Sequence, residues 1–172
     1  MNATTDEPGH DHGPDVRLRD VLDSDLETFL AFEHDPEAVR RSMFTPRPRD
    51  AFMKHWRTRV LGNETGLVQT VLVGEEIAGN IVSWWDDDRR FLGYWLGRPY
   101  WGRGIGTKAL GLFLELEKTR PLHADPFHTN TASVRLLERH GFRRAEALHH
   151  GDAADEGGDG DGDGYVLLVL EG

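Results

Sequence analysis

No cysteine occurs anywhere in this chain. That excludes disulfides, thiol nucleophiles and thiolate metal sites, and it fits a reducing compartment. No run of about 18 apolar residues is present. The N-terminal stretch has neither a basic nor an apolar segment of the kind that directs secretion, so the expectation is a cytoplasmic protein with no membrane partner. A surplus of positive charge is missing too, since the formal net charge is −10. That imbalance is local. Residues 1–15 hold Asp6, Glu7, Asp11 and Asp15 with no Lys or Arg, and residues 151–164 hold Asp152, Asp155, Glu156, Asp159, Asp161 and Asp163, again with no base. Setting those ten aside leaves 20 of the 30 acids against 20 bases. The body therefore offers no global field that would select nucleic acid or a cationic substrate.

At 172 residues the length fits one domain that buries roughly two-thirds of its unfolded surface. Residues 1–15, rich in Thr, Asp, Gly, Pro and His, have little to bury and are expected to be a disordered acidic tail. The domain is expected over 16–172, with an acidic glycine-rich loop at 151–164. VRLRD from Val16 alternates as a strand, and Ser24 with Glu27 forms a capping box for a helix carrying Leu26, Phe29, Leu30 and Glu33. Asp50 is placed to cap a second helix, with Phe52, Trp56 and Val60 on one face and Gly62 at its end. Residues 67–73 and 77–85 form a hairpin across Gly74 to Glu76, and 91–96 is a further strand. Helices are expected over about 106–118 and over TASVRLLERH, stopped by Gly141. Short strands are expected around Leu122 to Asp125, Phe142 to Leu148 and Tyr165 to Leu170.

The stretch RPYWGRGIGTKAL, 98–110, is the most informative. Gly102, Gly104 and Gly106 stand at alternate positions just before an apolar helical pattern. Such glycines let the main chain turn several N–H groups toward one point at a helix start, where an anion is favoured. Packing alone can also produce a glycine-rich turn. A P-loop is excluded, because the fifth position after Gly102 is Thr107 and Lys108 follows threonine. A dinucleotide fingerprint is excluded because the third glycine comes one residue early. DGDGDGY resembles the start of a calcium loop, but its twelfth position is Leu170 instead of a bidentate glutamate, so no metal is expected there. The His10–His12 and His149–His150 clusters read as flexible segments.

GYWLGRPYWGRGIGTKAL and, downstream, NTASVRLLERHGF together resemble the GNAT superfamily of acyl-CoA-dependent N-acyltransferases, especially the branch of ribosomal-protein N-terminal acetyltransferases. The resemblance covers about residues 16–170. It implies an α/β (α+β) fold with a mixed, mainly antiparallel central sheet of about seven strands flanked by about four helices. It implies acetyl-CoA as acyl donor. The main chain of Tyr94, Trp95 and Leu96 would pair with the cofactor arm. Trp101, Gly102, Arg103, Gly104, Ile105, Gly106 and Thr107 would surround the pyrophosphate, with Asn130 and Ser133 also at the cofactor. Asn130 reads equally well as a helix N-cap. Trp101 stands where the family commonly has Gln or Arg, a change expected to alter packing more than binding.

A tyrosine that many relatives place on the last helix, to protonate the leaving thiolate, has no counterpart in Arg135 to Glu138. The implied reaction is direct attack of a neutral amine on the thioester, with no covalent enzyme intermediate and the developing oxyanion held by backbone N–H groups. A lysine-type amine must lose a proton at a cost of about 4 to 5 kcal/mol at pH 7, whereas an α-amine needs only about 1. No Glu or Asp lies on 91–96, so candidates for the base are His123, Asp125 and His128, with Glu33 or His34 at the end of the first helix. Weak provision for a base favours an α-amine or another amine of low pKa over a lysine side chain. Trp84, Trp85 and the stretch from Phe44 to Arg49 are candidates for the acceptor wall, although alternation sends one of the two tryptophans into the core. Asp86 to Asp88 reads as a solvated turn. The acceptor is expected to be a small-molecule amine or a protein N-terminus, and a homodimer is compatible with the resemblance. The competing reading is a catalytically weak acyl-CoA-binding sensor or scaffold.

Overall fold

The computed structural model describes residues 14–145 and 164–172. The expected acidic tail, the loop at 151–164 and the His10–His12 and His149–His150 clusters lie wholly or almost wholly outside the described residues. Strand β1 (Val16–Asp20) leads through a 3₁₀ turn to α1 (Leu26–Glu33), α2 (Pro36–Ser42) and α3 (Arg49–His55), which continues as a π turn over Trp56–Val60. Then come β2 (Leu67–Val73), β3 (Glu76–Asp86), β4 (Arg89–Leu96), α4 (Ile105–Leu116), β5 (Leu122–Ala124), α5 (Thr131–Arg139), β6 (Arg143–Arg144) and β7 (Leu168–Leu170). The strands form one seven-stranded sheet in the order β1-β2-β3-β4-β5-β7-β6. Only β4 and β5 run parallel; the other pairs are antiparallel. Five helices are present among the described residues, against the four expected, because Asp35 caps a short α2 by accepting from the Ala38 N–H at 2.9 Å. None of them is long and apolar enough to cross a membrane.

Apolar side chains from both sheet faces decide the layering. Val71, Ile81 and Leu92 pack with Ile105, Ala109, Leu110 and Phe113 of α4 and with Val134 and Leu137 of α5. On the other face Leu26, Phe29, Phe52, Met53 and Trp56 form a second cluster against Val68, Ile77 and Val82. Each such fully buried side chain contributes roughly 1.5 to 3 kcal/mol. Ile77 and Val82 reach the same face although one position is odd and the other even. A β-bulge allows it: Val71 pairs with Gly79 and Leu72 with Ile77, which leaves Ala78 as the extra residue that resets the alternation.

Two buried polar clusters fix the strands that carry the site. Asp25, 2% exposed, accepts from Arg19 at 2.6 and 2.9 Å, from the Leu22 N–H and from Thr70 Oγ1. Burial would raise its carboxyl, but those bonds outweigh burial and hold it below the usual range. The expected Ser24 capping box is not formed: Asp25 occupies the cap of α1, and its side chain turns back to Leu22 and the sheet. At the far end of α4, Glu117 accepts from Ser83 Oγ at 2.5 Å and from Arg90 Nε at 2.7 Å. That links α4 to the middle of β3 and the start of β4.

Candidate active site

The parallel pairing of β4 with β5 covers only Arg90 with Leu122 and Phe91 with His123. Beyond Phe91 the strands part, so the second half of β4 has no strand partner on that side among the described residues. Alternation along β4 then serves two faces. Tyr94 points toward α5, where its hydroxyl lies 2.5 Å from Ser133 Oγ, and Trp95 points toward α1–α3, where its ring meets Phe44 edge-on at 5.3 Å.

A cavity of about 440 Å³ lies on the α4/α5 side. Its wall includes Tyr94, Trp95, Leu96, Trp101, Gly102, Gly104, Ile105, Gly106, Thr107, Asn130 and Ser133, which is every residue expected at the cofactor except Arg103. Arg103 is exposed, with its guanidinium over the Tyr100 ring. Gly102 and Gly104 adopt φ of +69° and +76°, and a Cβ at either would meet no atom within 4 Å. Conformation and not crowding calls for glycine at both positions. The first helical bond after the loop runs from the Lys108 N–H to the Gly104 carbonyl at 3.2 Å. The N–H groups of Ile105, Gly106 and Thr107 therefore remain unpaired at the start of a 12-residue helix.

Trp101 fastens the loop, since its indole N–H donates to the Leu96 carbonyl at 2.9 Å and the Arg41 guanidinium stacks on its ring at 4.3 Å. Arg135 and Arg139, one turn apart on α5, line the same cavity with Arg41, and no carboxylate among the described residues pairs with any of the three. Unpaired helix N–H groups, a left-handed glycine loop and three guanidiniums fit a pyrophosphate and further phosphate on one ligand. Asn130 caps α5, its side chain accepting from the Ser133 N–H at 3.4 Å. Burial pushes the Tyr94 hydroxyl up to about 12, which the bond to Ser133 only partly offsets.

A second cavity of about 440 Å³ lies on the α1–α3 side and shares Tyr94 and Trp95 with the first. The segment of α3 and its π turn, in which the Leu61 N–H bonds to the Trp56 carbonyl at 2.7 Å, five residues back, lines it with His55, Trp56, Arg59 and Val60. Glu33 from the end of α1 also lines it. Its Oε2 is buried with no partner, as is the Trp95 indole nitrogen. Burial pushes the Glu33 carboxyl up to about 7, against the opposing pull of Arg47 and His34.

Of the base candidates, only Glu33 lies on a cavity wall. His123 is buried with Nδ1 3.1 Å from the Arg90 carbonyl, His128 Nδ1 is 3.1 Å from the Gly164 carbonyl, and neither they nor Asp125 line either cavity. His34 Nε2 is turned to the Arg47 carbonyl at 2.7 Å. Trp84 lines the second cavity, where the absent side chain of Gly93 leaves room for its ring. Neither tryptophan is buried in the core, although alternation had sent one of the two there. Trp85 is 44% exposed on the opposite face, which Arg90 partly covers by lying over its ring at 5.3 Å. Phe44 lines neither cavity itself and reaches the site through Trp95 and through Arg47, whose guanidinium lies over its ring at 5.8 Å. Arg41, Arg135 and Arg139 of the first cavity, and His55, Trp56 and Arg59 of the second, were not anticipated as site residues, whereas Arg47 falls in the stretch from Phe44 to Arg49 that was expected on the acceptor side. The spacing of Arg135 and Arg139 four apart behind an Asn cap was a usable signal, whereas the π turn had none.

The family description "acetyltransferase (GNAT) domain" matches residues 15–143. No curated protein shows a significant sequence match. Among solved structures, a domain from Methanocaldococcus jannaschii superposes with a TM-score of 0.73 at 18% identity, covering 92% of this chain and 99% of that one. The aminoglycoside acetyltransferase AAC(6')-Ib in complex with coenzyme A gives 0.71 at 19% identity over 91% and 95% of the two chains. The RimL ribosomal L7/L12 alpha-N-protein acetyltransferase gives 0.70 at 18% over 91% and 90%. At such identities the likeness is one of fold.

Proposed function

Because the chain belongs to the GNAT acetyltransferase family, with acetyl-CoA as its donor, we propose that it acetylates the primary amine of a small molecule or a protein N-terminus by direct attack in a ternary complex. The observation that carries this reading is the meeting of the two cavities at Tyr94 and Trp95, one lined by an anion-binding loop and the other by an unpartnered carboxyl. Acetyl-CoA, when bound, supplies an activated acetyl group as a thioester.

The loop from Trp101 to Thr107 holds the pyrophosphate through its N–H groups, assisted by Arg41, Arg135 and Arg139. The main chain of β4 from Tyr94 to Leu96, on the side away from β3, aligns the pantetheine arm. The Tyr94 to Ser133 bond keeps α5 against β4 beside it. Glu33 takes the proton of the incoming amine, and with its carboxyl at about 7 it is substantially ionised at neutral pH and well matched to an α-ammonium near 7.8. As the C–N bond forms and the C–S bond breaks, the thiolate leaves and takes its proton from solvent, a tolerable course for a thiol of pKa about 8.5. The cytoplasmic setting expected from the sequence belongs to the same proposal.

Release of free CoA on mixing the protein with acetyl-CoA and a panel of α- and ε-amines tests the reading, after CoA binding has been verified by thermal shift. Turnover with preference for α-amines is expected. Binding without turnover across the panel overturns it in favour of a sensor.

A further inference from the structure

The wall of the second cavity carries more positive charge than an amine acceptor alone calls for. Against one carboxyl, Glu33, stand Arg47 and Arg59, with His55 between them in sequence. Several arginines nearby in the chain are matched to acids: Arg40 with Glu37, Arg49 with Glu27 and Arg57 with Asp23. No ion pair among the described residues engages Arg47 or Arg59. His55 adds no charge, since burial and the two arginines lower its affinity for a proton. Trp56, Trp84 and Trp95 supply the apolar part of the wall. The acidic turn Asp86 to Asp88 is exposed and lines neither cavity.

We propose that the acceptor is an amino-acid-like molecule, an amine with an anionic group a few bonds away, whose anion is held by Arg47 and Arg59 while its amine faces Glu33. This rests on reading the second cavity as the acceptor site. A guanidinium binds a carboxylate by charge-assisted, often bidentate hydrogen bonds, and the partly enclosed, aromatic surroundings strengthen them. A polycation such as an aminoglycoside would instead set several like charges against two unpaired guanidiniums, so this site selects against it. The anion can be the carboxylate of a free amino acid or an acidic side chain next to a peptide N-terminus, and the two sources are separable by experiment.

Acetyl transfer is measured with L-methionine, L-leucine and L-phenylalanine, each beside its carboxamide, and with an alanyl-aspartyl beside an alanyl-asparaginyl tripeptide, all rates referred to the unprotonated amine. The acid of one pair is expected to exceed its neutral partner in kcat/KM by about tenfold or more, a size typical of a charge-assisted bond. The pair that shows the effect identifies the source. Arg47→Met and Arg59→Met should each shrink that ratio, and because Arg59 is exposed its variant serves if the first fails to fold. An acid-to-amide ratio near one in every pair, a ratio unchanged by both variants, or acetylation confined to other amines overturns the proposal while leaving the acetyltransferase reading intact. No transfer to any amine overturns both.

Discussion

Replacing Glu33 with glutamine alters one group in the second cavity and should pull activity and stability in opposite directions. The carboxyl sits at about 7 in the folded protein, against 4.5 for a free side chain, chiefly because burial disfavours its charged form. Between those two pH values the native state holds a proton that the unfolded chain has released. Stability therefore falls as pH rises from about 4.5 to 7, and stays lower above that. At about 1.4 kcal/mol for each tenfold change in proton affinity, the ionised carboxylate costs at most roughly 3 kcal/mol, with water entering the cavity reducing the figure.

Glutamine carries no charge and escapes this cost, so Glu33→Gln should be more stable than the wild type at pH 8 by up to about 3 kcal/mol and no more stable at pH 4.5. For a domain of this size each kcal/mol shifts the melting temperature by about 2 to 4 °C, which thermal melts at the two pH values resolve. Activity should move the other way, with kcat/KM lower by about 100-fold and the acid limb near pH 7 lost, leaving only the amine's own ionisation. A variant that is stabilised at pH 8 yet retains full activity would show that Glu33 is merely a strained carboxyl. A variant with no pH-dependent gain in stability would refute the burial argument itself.

Gly104→Val places a β-branched residue at φ +76°, costs about 1 to 2 kcal/mol of backbone strain and should raise the KM for acetyl-CoA. The thermal shift produced by CoA should shrink in parallel, and an unchanged shift would count against a phosphate role for the loop. Glu117→Gln leaves Arg90, 5% exposed, without its charge partner. The expected loss is about 3 kcal/mol or more in urea unfolding, since removing one member of a buried pair strands the other.

The two cavities differ in how much of each could be read from the chain, and the reason is physical. The first cavity rests on backbone conformation, which leaves a signature in the residue types themselves: left-handed positions at Gly102 and Gly104, a cap at Asn130 and a left-handed stop at Gly141, φ +92°. The strand β4 and both flanking helices were legible within one to two residues for the same reason. The short helix α2 was missed because its signal is only Asp35 followed by Pro36, with too few apolar residues to show a period. The buried role of Asp25 was hidden by Ser24, which fits a capping box better on paper. It was settled by Arg19 and Thr70, the latter 45 positions away.

The second cavity is a tertiary construction, assembled from the end of α1, from α3 with its π turn and from strands β2 to β4. A regular helix from Arg49 would continue at about 100° per residue. The bond from Leu61 to the Trp56 carbonyl inserts one extra residue in the turn and rotates the chain beyond it by about that amount. That rotation acts on the chain after Val60, whereas His55 with Arg59 and Trp56 with Val60 are i, i+4 pairs that share a helical face and together line one cavity. Such π turns carry a stability cost and are concentrated at functional sites. Glu33 arrives from the end of α1 and Trp95 from a strand, each with a buried polar atom left unpaired. Two orphaned groups on one wall are expensive in a folded protein, and a bound amine bearing its own donors and acceptors would satisfy them.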